Sequence, residues 1–350
     1  MTMHRTRTRL LAAIAAVGAL ALGACAGSDA STSAGGGAAD GGTSTVRINQ
    51  AFQSLLYLPL YVAEDQGFFE QEGIDVEIAT GGGGTQSWSA VLGGSAEFSI
   101  QDPVFVPKAR EAGGEGVVVA GIQNAPTVFI LGSDPAPLQD DLELLNGKRV
   151  VVSPQPDTTW ALMTLMIEEH GLEDVTLVNV PIGNELAAVA SGQADYALAV
   201  EPQISQGESE GLNVVYSFSE DPSRSPFAFS SLTGLPSWIE ENPEAALGTV
   251  TAFQRASTAI YADPEAAVAT AEKYFPDLDP ATVEAAVMRM IEAKGYPEDV
   301  LVTQEAWDNN LEIALLVENV QAYPSDATSY ENNVDVELAQ AAHAAIAEQD

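Results

Sequence analysis

Bases are scarce in this chain. Against 50 Asp and Glu stand only 13 Lys and Arg, a formal net charge of −37 over 350 residues. So acidic a surface repels a polyanion before any base can be read, which excludes nucleic acid as a partner and disfavours anionic membrane surfaces. Histidine is limited to three residues and cysteine to one, Cys25. A lone cysteine closes no internal disulfide, and no His or Cys pair stands at metal-ligand spacing, so neither a metal nor a cofactor is expected. A Gly-x-Ser-x-Gly elbow is missing as well, and beyond the leader only His170 and His343 could serve a serine as base. Long apolar runs are missing past residue 22, so no later stretch is expected to span a membrane.

What is present suffices for a folded core. Hydrophobic residues make up 46% and charged residues 18%, too apolar a mixture for disorder throughout. At roughly 150 residues per domain, the length suggests two globular units. The first nine residues carry Arg5, Arg7 and Arg9, residues 10–22 are apolar, and Leu22-Gly23-Ala24-Cys25 follows. A basic start and a short apolar run form the layout of an export signal. The closing tetrapeptide resembles the lipobox of bacterial lipoproteins, which implies that Cys25 is lipidated and becomes the new N-terminus. Removing residues 1–24 would leave 10 − 50 = −40 charges. Residues 26–45 are mostly Gly, Ser, Ala, Thr and Asp, the composition of a flexible tether.

Past the tether the elements alternate. Residues 46–50 and 74–78 read as strands, 58–66 as a short helix stopped by Gly67, and 85–92 as a helix following the run Gly81-Gly82-Gly83-Gly84. Strand patterns recur at 96–100, 117–122, 127–131, 149–152, 175–180, 196–200 and 214–218, with a helix over 158–170. Such alternation implies mostly parallel sheets covered by helices and joined by right-handed crossovers. From Trp238 onward the pattern is helical, and Asn242-Pro243, Asp263-Pro264 and Asp279-Pro280 each read as an N-cap with proline at the first helical position.

Several segments, in order, carry a resemblance: Pro59-Leu60-Tyr61-Val62-Ala63, Gly67-Phe68-Phe69 and Gly73-Ile74-Asp75-Val76, then residues 89–98, 145–150 and 188–196. They resemble the SsuA/THI5-like (NMT1-like) substrate-binding proteins of ABC transporters over about residues 46–217. The resemblance implies a two-lobed periplasmic-binding-protein type II fold, each lobe a mostly parallel sheet flanked by helices. Lobe I would comprise residues 46–125 and 226–350, the latter including the C-terminal helices, and lobe II residues 126–225. It further implies an exported receptor, anchored by lipid to the outer face of the cytoplasmic membrane. That receptor would be a monomer with ABC permease subunits as partners, capturing a sulfonate, taurine, nitrate or thiamine-precursor pyrimidine. It would not be an enzyme. An extracytoplasmic hydrolase using carboxylates in the same cleft is the alternative, because fifty acids guarantee that some lie close together.

Ligands of open α/β sheets sit beyond the carboxyl ends of the strands. That rule selects Gln50, Phe52 and Tyr57 after the first strand, Gly84, Thr85 and Gln86 after the second, and Gln101 and Asp102 after the third. Across the cleft it selects Gln155, Thr158, Thr159, Trp160, Asn184 and Glu201, with Gln53, Gly83, Ser87, Pro154, Asp157 and Glu185 in the same loops. Two readings of ligand charge stand side by side. The glycine run could cradle an anion in a backbone nest, and Arg224 near the second crossover could reach the cleft. Yet none of these loops carries a base, whereas Asp102, Asp157, Glu185 and Glu201 fall within them, which favours a ligand with N–H donors such as an aminopyrimidine.

Overall fold

The computed structural model describes residues 43–135 and 138–347. The strands are β1 (Ser44–Gln50), β2 (Ile74–Thr80), β3 (Phe98–Gln101), β4 (Val117–Gln123), β5 (Phe129–Gly132), β6 (Arg149–Val152), β7 (Thr176–Asn179), β8 (Tyr196–Ala199), β9 (Asn213–Ser217) and β10 (Ser230–Gly234). They form two five-stranded sheets ordered β2-β1-β3-β10-β4 and β7-β6-β8-β5-β9. The two orders are one pattern used twice. In each sheet three strands run parallel, with β1 between β2 and β3 and β6 between β7 and β8. The fourth is antiparallel to both its neighbours: β10 lies between β3 and β4, and β5 between β8 and β9. Each sheet is therefore mostly parallel, four of its five strands running one way and one reversed, because β5 and β10 follow directly on the chain's passages from one sheet to the other. Those passages are residues 124–128 and 218–229.

Helices in chain order are α1 (Leu58–Asp65), α2 (Phe68–Gln71), α3 (Gly84–Leu92), α4 (Phe105–Glu111), α5 (Thr158–His170), α6 (Glu185–Ala190), α7 (Gln203–Ser209), α8 (Pro236–Glu241), α9 (Pro243–Ala262), α10 (Pro264–Tyr274), α11 (Pro280–Glu292), α12 (Gln304–Leu316), α13 (Tyr330–Asn333) and α14 (Val336–Ala347). None of the described helices is long and apolar enough to cross a membrane. The Asx-Pro signals do start α9, α10 and α11. Asp263 and Asp279 accept from the Ala266 and Ala281 amides at 3.0 and 2.9 Å, relieving donors that the first turn leaves unpaired. Asn242 does not cap; its amide reaches back to the Trp238 carbonyl at 2.9 Å.

Burial explains which elements were easy to read. β4 and β6 bury almost every residue as apolar runs, and α5 ends in Gly171 at φ +60°, the left-handed stop that glycine tolerates. β10 is Ser-Ser-Leu-Thr-Gly, buried throughout, and its Thr233 hydroxyl pairs within the sheet with Ser99 at 3.0 Å. A strand of small polar residues has no period-2 hydrophobic signal, so its sequence does not announce it.

Candidate ligand-binding site

The carboxyl ends of the parallel strands in both sheets face one cavity of about 50 Å³. From the first sheet it is walled by Ala51 and Phe52 after β1, by Leu56 and Tyr57 in the following turn, by Gly84 opening α3, and by Gln101 and Asp102 after β3. From the second come Ser153, Asp157, Thr158 and Thr159 between β6 and α5, Ile182 and Glu185 before and within α6, and Ala199 and Val200 after β8. Phe229 and Ser230, at the start of β10, close one side. Since one water needs roughly 10–15 Å³ of such space, the cavity holds about three to five waters or a compact solute.

Seven expected contacts line this cavity: Phe52, Tyr57, Gly84, Gln101, Asp102, Thr158 and Thr159. Seven do not. Gln50 is buried behind the wall, accepting from the Tyr61 hydroxyl at 2.6 Å and donating to Thr80 at 3.1 Å. Thr85 and Gln86 are exposed on the outer face of α3, and Asn184 is exposed ahead of α6. Trp160 turns onto the main hydrophobic core. Gln155 reaches out of the cavity to Asn319 at 3.1 Å. Glu201 is fully buried against Arg289 on α11, at 3.3 Å. Asp157 and Glu185, flanking residues in the sequence, are wall residues. Ser230 was illegible for the reason given for β10, and Phe229 lies just ahead of that strand.

The Gly81 and Gly82 amides donate to the Gln50 and Ala51 carbonyls, both at 2.9 Å, so they are spent inside the backbone. Gly82 sits at φ +89°, where glycine avoids strain. Gly84 is needed for proximity: a Cβ there would meet the Phe105 ring at 2.6 Å and an Asp157 oxygen at 3.4 Å. Gly84 therefore lets the Asp157 carboxyl stand close against the run's backbone beside the cavity. Arg224 does not reverse this, because it pairs with Glu169 and lies 3.8 Å from Asp221.

The wall contains no Lys, Arg or His, and its acids are held in a strained electrostatic state. Asp102 accepts from the Val104 amide at 2.9 Å, from Asn310 at 3.3 Å and from the Thr158 hydroxyl across the cleft. Burial outweighs those bonds and pushes its carboxyl up to about 6. Asp157, desolvated and beside the charge of Asp102, is pushed up to about 7. Glu185 is raised by burial too, although it accepts from the Gly183 amide at 2.7 Å. Gln101, buried at 1%, donates to Thr233 at 2.8 Å, while its carbonyl oxygen has no partner.

Contacts bridge the cleft around this wall. The Ser54 hydroxyl donates to the Glu201 carbonyl at 2.6 Å, and Asn319 donates to the Pro156 carbonyl at 3.0 Å. Arg289 also pairs with Glu208 and stacks 5.5 Å from the Phe129 ring centre. Two mixed sheets, each repeating the other's strand order and walling one cavity with their carboxyl ends, define the type II periplasmic-binding-protein fold.

The profile of the NMT1/THI5-like family matches residues 56–267. The chain belongs to that family. Its relative YtlA of Bacillus subtilis (strain 168), named only provisionally as a binding protein, is 27% identical over 274 residues, covering 75% of this chain and 80% of its own length. Among solved structures, the alkanesulfonate-binding protein SsuA of Xanthomonas axonopodis pv. citri, bound to MOPS, superposes with a TM-score of 0.66 at 17% identity. It covers 84% of this chain and 99% of its own. The nitrate-binding protein NrtA of Synechocystis PCC 6803 gives 0.68 at 16% identity, over 88% and 91%. At these identities the superpositions carry the fold; the wall chemistry is this chain's own.

Proposed function

We propose that the protein is the extracytoplasmic solute receptor of an ABC importer, which traps a small organic molecule between its two sheets and releases it unchanged to the permease. The observation that carries this reading is a cavity walled by the strand ends of both sheets, in a fold whose solved relatives are named for the solutes they bind. Residues 46–125 and 226–350 act as one lobe and 126–225 as the other, with Cys25, outside the described residues, as the lipid anchor. Closure around ligand is a hinge motion about residues 124–128 and 218–229.

The alkanesulfonate and nitrate receptors bind anions; this wall favours the opposite hydrogen-bond polarity. Asp102, Asp157, Glu185 and the free Gln101 oxygen accept, and no base is present to neutralise an oxyanion. Phe52, Tyr57 and Phe229 supply flat apolar surface. An amino-substituted heterocycle such as an aminopyrimidine satisfies both. The protein binds and does not catalyse: the wall hydroxyls, Ser153, Thr158, Thr159 and Ser230, have no histidine or lysine in the wall to act as their base. Mass spectrometry of small molecules carried through native purification tests the receptor reading. A stoichiometric organic solute supports it, and turnover of that solute would replace it with the hydrolase.

A further inference from the structure

Resting on the receptor reading, we propose that the cavity selects a compact organic cation, an amidinium or guanidinium-like group, and that its arrival expels a proton shared by Asp102 and Asp157. The argument starts from acceptors without donors. Gln101 lies 1% exposed in the wall with an unpartnered carbonyl oxygen. Its amide nitrogen donates to the Thr233 hydroxyl at 2.8 Å, which lies 3.0 Å from the Ser99 hydroxyl and 3.2 Å from the Ser99 carbonyl. A buried acceptor left unmet is costly, and Gln101 lines the cavity.

Asp157 gives the same indication from the opposite sheet. It stands against the Gly84 backbone, no side-chain capping bond engages it at the start of α5, and its strongest electrostatic neighbour is the like charge of Asp102. The surrounding elements supply no positive charge. α6 presents Glu185, the turn after β1 presents the neutral Tyr57 phenol, α12 presents Asn310 and α5 presents Thr158 and Thr159. Arg289 is committed to Glu201 and Glu208 outside this wall.

Both carboxyls line one cavity and burial favours their neutral forms, Asp157 the more so beside the charge of Asp102, so without a cation the pair retains a proton. A cation removes the reason for that proton. The exchange balances: a singly protonated pair plus a monocation becomes a doubly ionised pair holding the monocation, and one proton leaves to solvent. The surrounding field, from a chain of formal charge −37, draws a cation inward.

The test is isothermal titration of the full-length exported protein with acetamidine and guanidine, against 4-aminopyrimidine, ethanesulfonate, taurine, nitrate and calcium. Each is run at pH 5.5, 6.5 and 8 in buffers of differing ionisation enthalpy. Acetamidine or guanidine should bind most tightly at pH 8 and weaken by about threefold per unit where the pair is half protonated, approaching tenfold per unit at lower pH, releasing up to about one proton per ligand at pH 6.5. Asp157→Asn should lose at least tenfold in affinity and most of the proton release. Should that variant misfold, Gln101→Met, which keeps volume and removes the acceptor, should lose severalfold in affinity while releasing the proton as before. Preference for the sulfonates, nitrate or neutral 4-aminopyrimidine overturns the inference and leaves a receptor of another specificity. Calcium binding alone also overturns it, as does a cation bound without proton release. Silence from every probe overturns it too. Only silence combined with no co-purifying solute in native mass spectrometry retires the receptor reading itself.

Discussion

Arg289 holds the two halves of the cleft together, and its replacement by methionine isolates that contribution. Its guanidinium lies 3.3 Å from the fully buried Glu201 carboxylate, pairs with Glu208 and rests on the Phe129 ring. Methionine keeps much of the packing and removes the charge. Removing one partner of a buried ion pair typically costs about 3–5 kcal/mol, because the survivor is left uncompensated. Two features reduce that here. Arg289 remains 23% exposed, and Glu201 keeps bonds from the Ser205 amide at 3.1 Å and hydroxyl at 2.9 Å. A loss of about 1–3 kcal/mol follows, and because parting the halves hydrates Glu201, it falls on the closed form. That is roughly a 5- to 150-fold shift of the open–closed equilibrium. Small-angle scattering of the ligand-free protein should show a larger radius of gyration for Arg289→Met. Glu201→Gln in the same background should restore the compact form, since a neutral amide needs no cation. Burial already raises the Glu201 carboxyl and Arg289 opposes that rise. In the variant the carboxyl therefore rises further and binds a proton in the closed state, so the defect is full at pH 8 and fades as pH falls. Identical scattering of variant and parent from pH 5 to 8 would refute the latch.

The Asp102–Asp157 pair also sets a pH dependence of stability. Both folded values, about 6 and about 7, lie above those of an unfolded carboxyl, so the fold binds extra protons between roughly pH 4 and 7. Their contribution is complete below pH 4 and is lost as pH rises through 7, by several kcal/mol at most at about 1.4 kcal/mol per unit. Asp65, Glu97 and Asp195, held low by Lys273, Arg47 and Arg149, act the other way, their contribution disappearing as pH falls below about 4. Thermal midpoints of the ligand-free protein should thus fall from pH 5 to 8, and Asp157→Asn should flatten the slope; an unchanged slope in that variant would count against the pair. Trp307 on α12 is fully buried and its indole N–H donates to the Thr328 carbonyl at 3.0 Å. Trp307→Ala should lower unfolding stability by about 3–5 kcal/mol in urea titration, and a loss below 1 kcal/mol would mean that this part of the core is not cooperative with the rest.

Local chemistry alone determined much of this protein. The alternation of strand and helix, the Asx-Pro helix starts, the glycine stops and the loops after the strands are all written in spacings of two, three or four residues, the range over which backbone sterics and capping act. Asp102, Thr158 and Tyr57 were legible as wall residues because the strand-end rule needs only the element order. Distance in sequence hid the rest. Nothing in Ser-Ser-Leu-Thr-Gly says that it enters a sheet between β3 and β4, since its partners are more than a hundred residues upstream. Whether Glu201 faces solute or Arg289, which side chain stands against Gly84, and whether Arg224 enters the cleft or holds Glu169 were decided only when the two sheets met. The charge of a cavity is a sum over groups that the chain brings together from far apart, and burial fixes its sign by choosing which of those groups keep their partners and which are left facing the gap.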